Sequence, residues 1–429
     1  MDIVKELDRL EQAGVIDGET ARRIHAFYQN QAGESSSRLF VIFGVFGAIL
    51  SALGIILVLA HNWEEISKTL KTIISLTPLL LGQSFCLYSW EKKAHSRAWI
   101  EASASFLILS CGAGIALISQ VYHLPGELDV FVLTWLLCAA PVVWLSGSSI
   151  ASLLVIIGAT WYGIAADSFD RSIVFPWGYL VAMAIPVAHY LRIFRRGLDP
   201  NFQGFHQWFF PTSLLLVTGV LSNSHEELML IVFAALAGIL IQTGRLSQFN
   251  HISLRANGFL VLGSLSTVLL LLNASFAFPW EALNKMKGEN WSWIGSTEFI
   301  CLVILSITAI CIQIRNRIQQ NKRFTEPVDF VYIVLPALLL MPGQSSALPR
   351  IFVNLLIFLV GLGYVLKGHR EERVGIMNYG LIILTALIIC RYFDTEISFI
   401  VKGLLFIGVG AGFFFANYRF LSKHKQIKQ

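Results

Sequence analysis

Four charged residues sit between two long apolar runs in RYFDTEISFIVKG, residues 391–403: Arg391, Asp394, Glu396 and Lys402. If the flanking runs are membrane helices, the first three lie at an interface, where Arg391 and Asp394 are expected to clamp a turn. Lys402 falls six residues into the next helix, about 9 Å along it and about a third of the way through the hydrocarbon. An ammonium at that depth has three chemistries open to it. It can snorkel outward and rest near Asp394 or Glu396, face the interior and pair with a substrate anion or a carboxylate of another span, or touch an outer-leaflet lipid phosphate.

A second set of reactive side chains recurs in the short segments between apolar runs: His61, Glu64 and Glu65, then His123, Glu127 and Asp129, then Asp167 and Asp170, then His225, Glu226 and Glu227. Histidine and carboxylate together can ligate a transition metal or calcium, but these segments lack a tight ligand spacing such as H-E-x-x-H. Sorting of Lys and Arg to the opposite side explains the same acidity without a metal. The heptapeptides EISKTLK at 65–71 and EISFIVK at 396–402 share Glu, Ile, Ser and Lys at equal spacing, as a pair of parallel internal repeats would.

The elements that position these groups follow from composition. Of 429 residues 55% are hydrophobic and only 14% charged, and the mean hydropathy is +0.66. Soluble domains carry about 25% charge. Runs such as FVIFGVFGAILSALGIILVLA are apolar on every face, which suits buried or lipid-facing helices and not the alternating strands of a barrel. The expected fold is all-α: a polytopic transmembrane bundle of about fourteen spans, near 39–60, 70–89, 100–121, 128–145, 148–166, 173–191, 208–221, 227–243, 255–274, 296–314, 328–341, 349–366, 373–391 and 396–418. The segments 208–221 and 328–341 are short and carry Pro211 and Pro336, so each is either a span or re-entrant.

With the N-terminus inside, this count assigns 24 of the 32 Lys and Arg to the inner side and leaves 8 outside. The positive-inside rule then predicts an inner-membrane protein with both termini cytoplasmic. Residues 1–38 are polar, so 39–60 is expected to act as an uncleaved signal anchor. Within the head, Ile3, Leu7 and Leu10, then Ile24, Phe27 and Tyr28, recur at helical spacing; Gly14 ends the first helix and Asp17 caps the second. The expected organisation is a cytoplasmic helical hairpin at 1–34, a linker at 35–38, the bundle at 39–418 and a basic tail at 419–429. Helices this short need a partner surface, whether a second copy, another protein, the inner loops or membrane lipids.

The head L-x-x-L-x-x-x-G-x-I, an apolar span ending in AHNWEEI, the segment ALISQVYHLPGELDVFVLTWLL at 116–137 and the closing RYFDTEISFIVKGLLFIGVGAGFFF together resemble the bacterial membrane-protein family called domain of unknown function 2157. The resemblance implies a multi-pass membrane protein and carries no assigned chemistry.

Several functions find no support in the motifs. There is no G-x-x-x-x-G-K-[ST] loop, the G-x-G-x-G at 408–412 lies inside an apolar run, and no serine or cysteine has a recognisable nucleophile setting. No catalytic residue, metal or cofactor is therefore expected, and basic residues without aromatic interleaving do not predict nucleic-acid binding. Prolines at 78, 141, 176, 186, 211 and 336 interrupt or border spans, as they do where transporters bind substrate and in ordinary membrane helices alike. The small-residue stripes Gly44, Ala48, Ala52 and Gly408, Gly412, Ala416 suit close helix packing. The leading expectation is transport-like binding or movement of an amphiphilic or anionic solute. A membrane enzyme acting on a lipid-linked substrate at the outer face, or a non-catalytic scaffold or sensor, are the alternatives.

Overall fold

The computed structural model describes residues 14–15, 17–24, 63–165, 177–198, 200–220, 225–249, 252–289, 291–320, 326–339, 347–394 and seven positions between 400 and 411. The fold is helical, with no strand among the described residues. The chain divides into two compact units, residues 1–75 and 76–429. In the first, residues 18–24 are helical and Asp17 caps them, accepting the Thr20 hydroxyl at 2.5 Å and the Thr20 amide at 3.3 Å. Those two bonds, the hydroxyl first, hold the Asp17 carboxyl below its ordinary pKa. The rest of the hairpin, the linker, the span expected at 39–60, most of 396–418 and the tail lie outside the described residues.

Thirteen longer helices follow: α1 (Lys68–Lys92), α2 (Arg97–Tyr122), α3 (Leu128–Ser146), α4 (Ser149–Ala165), α5 (Trp177–Arg195), α6 (Pro200–Gly219), α7 (Met229–Gly244), α8 (Gly258–Ala274), α9 (Phe278–Glu289), α10 (Thr297–Gln320), α11 (Val331–Leu339), α12 (Ala347–Arg370) and α13 (Val374–Asp394). Twelve of the fourteen expected spans coincide with one of them. Length and composition trim that number: among the described residues eight helices are long and apolar enough to cross a membrane, or nine if the bent pair α8–α9 is one span. Helix α4 and the stretch Pro327–Leu338 are shorter. Helix α6 has 20 residues, enough for about 30 Å, because the polar stretch before Pro211 is helical and buries His206 and Gln207.

Residues 275–295, read from the sequence as an outer loop, instead turn the chain by 77° into α9. Trp280 Nε1 donates to Ala274 O at 2.6 Å across that bend. Trp280, Leu283, Met286 and Trp293 all pack into the core, so Trp293 is not the interfacial anchor its type suggests. An indole whose N–H finds a partner can be buried outright.

Helix α7 is the hub. It contributes Ile231, Val232 and Ala235 to a core shared with α8 to α13, and Leu236 and Leu240 to a second core built from α2 to α6. Its small residues permit this: a Cβ on Gly238 would meet the Tyr332 ring at 2.5 Å, and one on Gly244 would meet the Leu260 amide at 2.6 Å. Helices α12 and α13 pack through Gly361, Gly368 and Gly380.

Long-range hydrogen bonds at the helix ends fall into two sets. One joins Arg97 to Gly147 O, Arg192 to Trp144 O, and Arg245 and Lys367 to Glu326. The other joins the His225 amide to Glu298 and Arg391 to Ser275. The first set contains only segments expected on the inner side, the second only segments expected outside.

Candidate functional site

Four residues of local sequence, EPVD at 326–329, build the most charged feature of the described fold. Pro327 opens a turn of 3-10 helix, and the Glu326 amide donates to Asp329 Oδ2 at 3.0 Å, so both carboxylates face the same way. Arg245, the residue that ends α7, meets them. Its Nη2 lies 2.7 Å from Glu326 Oε2, and its Nη1 donates to Asp329 Oδ1. The second Glu326 oxygen holds Lys367 Nζ, near the end of α12, at 2.5 Å. The carboxylates thus tie the end of α7 to the end of α12.

Behind this network the polar groups are buried. Asp329 is 3% exposed, and its Oδ1 also accepts Gln242 Nε2 at 3.2 Å. Asn316 Nδ2 donates to Gln242 O at 2.7 Å, and Tyr332 donates to Gln313 Oε1 at 2.5 Å. Burial acts to raise the Glu326 carboxyl; Arg245 first and Lys367 second more than offset it, holding its pKa below the ordinary value. For Arg245, burial disfavours the cation and the Asp329 and Glu326 charges outweigh it, so its pKa is raised.

In front of the network lies a cavity of about 630 Å³ between α7, α8, α12 and α13. This is within the usual range for small-molecule sites. One wall is apolar, with Leu254, Val261, Leu265 and Ile376; the floor carries Arg245, Glu326 and Lys367; Glu371 and Arg373 stand at the turn joining α12 to α13. Ser264 Oγ lies 3.0 Å from the Tyr364 hydroxyl and 3.1 Å from that of Tyr379, which adds three hydroxyls to the lining. The arrangement can hold a molecule with an apolar body and a charged end.

A second buried polar group lies where α2, α4, α5 and α6 meet. Glu101, 3% exposed, accepts the Ser149 and Ile150 amides at 3.0 and 2.8 Å and the Ser148 hydroxyl, so a carboxylate stands at the N-terminus of α4. His189 Nε2 lies 3.2 Å from Ser149 Oγ, and His206 Nε2 lies 2.9 Å from Ser152 Oγ. These groups are buried, and a cavity of about 420 Å³ between α4 and α6, lined almost wholly by apolar atoms, includes none of them in its lining.

The residues singled out in the sequence fall elsewhere. Lys402, Glu396 and His61 lie outside the described residues, as does the side chain of Asp394. Arg391 donates to Ser275 Oγ at 3.0 Å, with its guanidinium 5.1 Å from the Phe276 ring, so it meets the segment after α8; the turn it was expected to clamp with Asp394 lies outside the described residues. Glu64 and Glu65 are exposed on the turn Trp63–Glu65. His123 closes α2 in the left-handed conformation and Glu127 precedes α3, both exposed. Among the described residues no three His, Cys, Asp or Glu side chains are placed to hold a metal ion. Sequence reasoning missed Arg245, Glu326, Asp329 and Lys367. The available signal was E-P-x-D directly before an apolar run, a helix-start pattern whose two acids are too many for a lipid-facing end.

Fold and site together define a membrane-embedded, multi-helix protein with a charged network at one end of its bundle. Residues 8–152 match the model of a family described as predicted membrane protein (DUF2157), the family the sequence motifs resemble. No curated protein and no solved structure matches the chain.

Proposed function

We propose that the protein binds an amphiphilic solute in the cavity between α7, α8, α12 and α13, as a transport-like protein of the inner membrane. The observation that carries this reading is the union, in one 630 Å³ space, of an apolar wall and a floor bearing Arg245, Glu326 and Lys367. Purely structural bundles close such spaces, because each missing contact costs packing energy and each hydrated charge near hydrocarbon is expensive. With both termini cytoplasmic, the charged floor faces the cytoplasm and the wall faces the inner-leaflet acyl chains. A scaffold would be served by a dry bundle. Lys402, the sequence-based candidate, stays a separate proposal for the opposite face, and the N-terminal hairpin one for self-association or a partner protein.

The test is ligand retention. The purified protein is passed through native mass spectrometry beside Leu265→Trp, which fills the wall without touching the ion pairs. Lipid-sized adducts are expected on the wild type and are lost in the variant. Adducts unchanged by Leu265→Trp would refute the reading.

A further inference from the structure

The charges around the cavity balance. Arg245, Lys367 and Arg373 supply three cations, and Glu326, Glu371 and the buried Asp329 supply three carboxylates. Four of the six are locked in short pairs on the floor. The remaining two, Glu371 and Arg373, form a looser pair at 3.8 Å with side chains 36% and 63% exposed. That pair stands on the turn joining α12 to α13, where the Arg373 amide closes back on Gly368 O at 2.9 Å.

Resting on the binding reading above, we infer that the ligand is a zwitterionic amphiphile whose head carries a phosphate and a primary ammonium, with Glu371 and Arg373 as the pair that reads it. An anionic head would bring a net charge into a site whose cations are each already matched by a carboxylate. A head with no charge would leave the outer pair as it is and gain nothing from it. A zwitterion exchanges one loose ion pair for two: phosphate on Arg373 and ammonium on Glu371. Guanidinium and phosphate match in a bidentate fashion, and an ammonium with N–H bonds can donate to a carboxylate. A quaternary ammonium cannot donate, and it needs aromatic faces around it. The two tyrosines here pack edge to face on each other at 5.1 Å and share Ser264 through their hydroxyls. The tail lies along Leu254, Val261 and Leu265, of which the two leucines are each 44% exposed.

The experiment offers the full-length protein in detergent equal amounts of phosphatidylethanolamine, phosphatidylcholine and phosphatidylglycerol of one chain composition, and counts bound lipid by native mass spectrometry. Soluble glycerophosphoethanolamine forms a fourth arm that separates a lipid from a free head group. The ethanolamine lipid is expected to exceed each of the others by about fivefold, a preference of about 1 kcal/mol, and the soluble head to bind far more weakly. Glu371→Gln, on an exposed side chain that leaves the fold intact, is expected to bring the ethanolamine-to-glycerol ratio near one, and Arg373→Gln to weaken all three phospholipids. Equal binding of all three lipids in the wild type, or a ratio that Glu371→Gln leaves unmoved, overturns the head-group assignment while the binding reading stands. A wild-type protein that carries no adduct sensitive to Leu265→Trp overturns both.

Discussion

The Arg245 guanidinium donates to the Asp329 carboxylate across 84 residues of sequence, and through this contact the end of α7 is tied to the turn before α11. Asp329 is almost wholly buried, so the contact sets a guanidinium beside a carboxylate that water scarcely reaches.

Replacing Arg245 by Met removes the cation and leaves that carboxylate only neutral donors, Gln242 Nε2 and the Glu326 amide. A buried charge stripped of its partner costs about 3–5 kcal/mol unless it takes up a proton. Thermal unfolding in detergent should show Arg245→Met strongly destabilised and Arg245→Met/Asp329→Leu recovering most of the loss. A single variant as stable as the wild type would show that the pair contributes little.

Acid should weaken the same end of the bundle through Glu326. Its folded pKa lies below the ordinary 4.5, so its pairing contributes fully above that value and is lost as pH falls through the lower folded one. The unfolding temperature of the wild type should therefore fall below about pH 4.5 more steeply than that of Glu326→Gln. Parallel curves would remove Glu326 from the account.

Gly258 opens α8 against α6, where an added Cβ would stand 2.4 Å from Gln207 O. Because the obstacle is backbone, Gly258→Ala must push the two helices apart, at about 1–3 kcal/mol. Gly375→Ala meets nothing within 4 Å and serves as the control. Comparable melting of the two variants would contradict the close approach of α6 and α8.

Sidedness is tested by reporter fusions. A reporter after Gln429 should be active only in the cytoplasm, and one inserted at the exposed turn near Gly126 only outside. The reverse pattern would turn the cavity floor to the other face of the membrane.

Composition alone determined that this is an all-helical membrane protein, since a chain this apolar can satisfy its backbone in lipid only within helices or a closed barrel, and its apolar runs do not alternate. Run lengths located eleven of the described helices to within about six residues; α6 begins eight residues before its expected start, and α9 was not anticipated. Loop charge sorted the connecting segments into two sides, and the hydrogen bonds at the helix ends join segments within each set. The bend at 275–277 was not legible, because FPWEALNKMKGE reads as a polar loop until the core beneath Trp280 and Met286 is present to bury one face. Nor was the site. Arg245, Glu326 and Lys367 looked like ordinary charges of three separate inner loops, since nothing in a linear pattern states which helix ends are neighbours. That choice belongs to tertiary packing: Gly244 and Gly258 let α7, α8 and α6 close on one another, Gly361 and Gly380 do the same for α12 and α13, and the charges at their ends then have only each other to neutralise them.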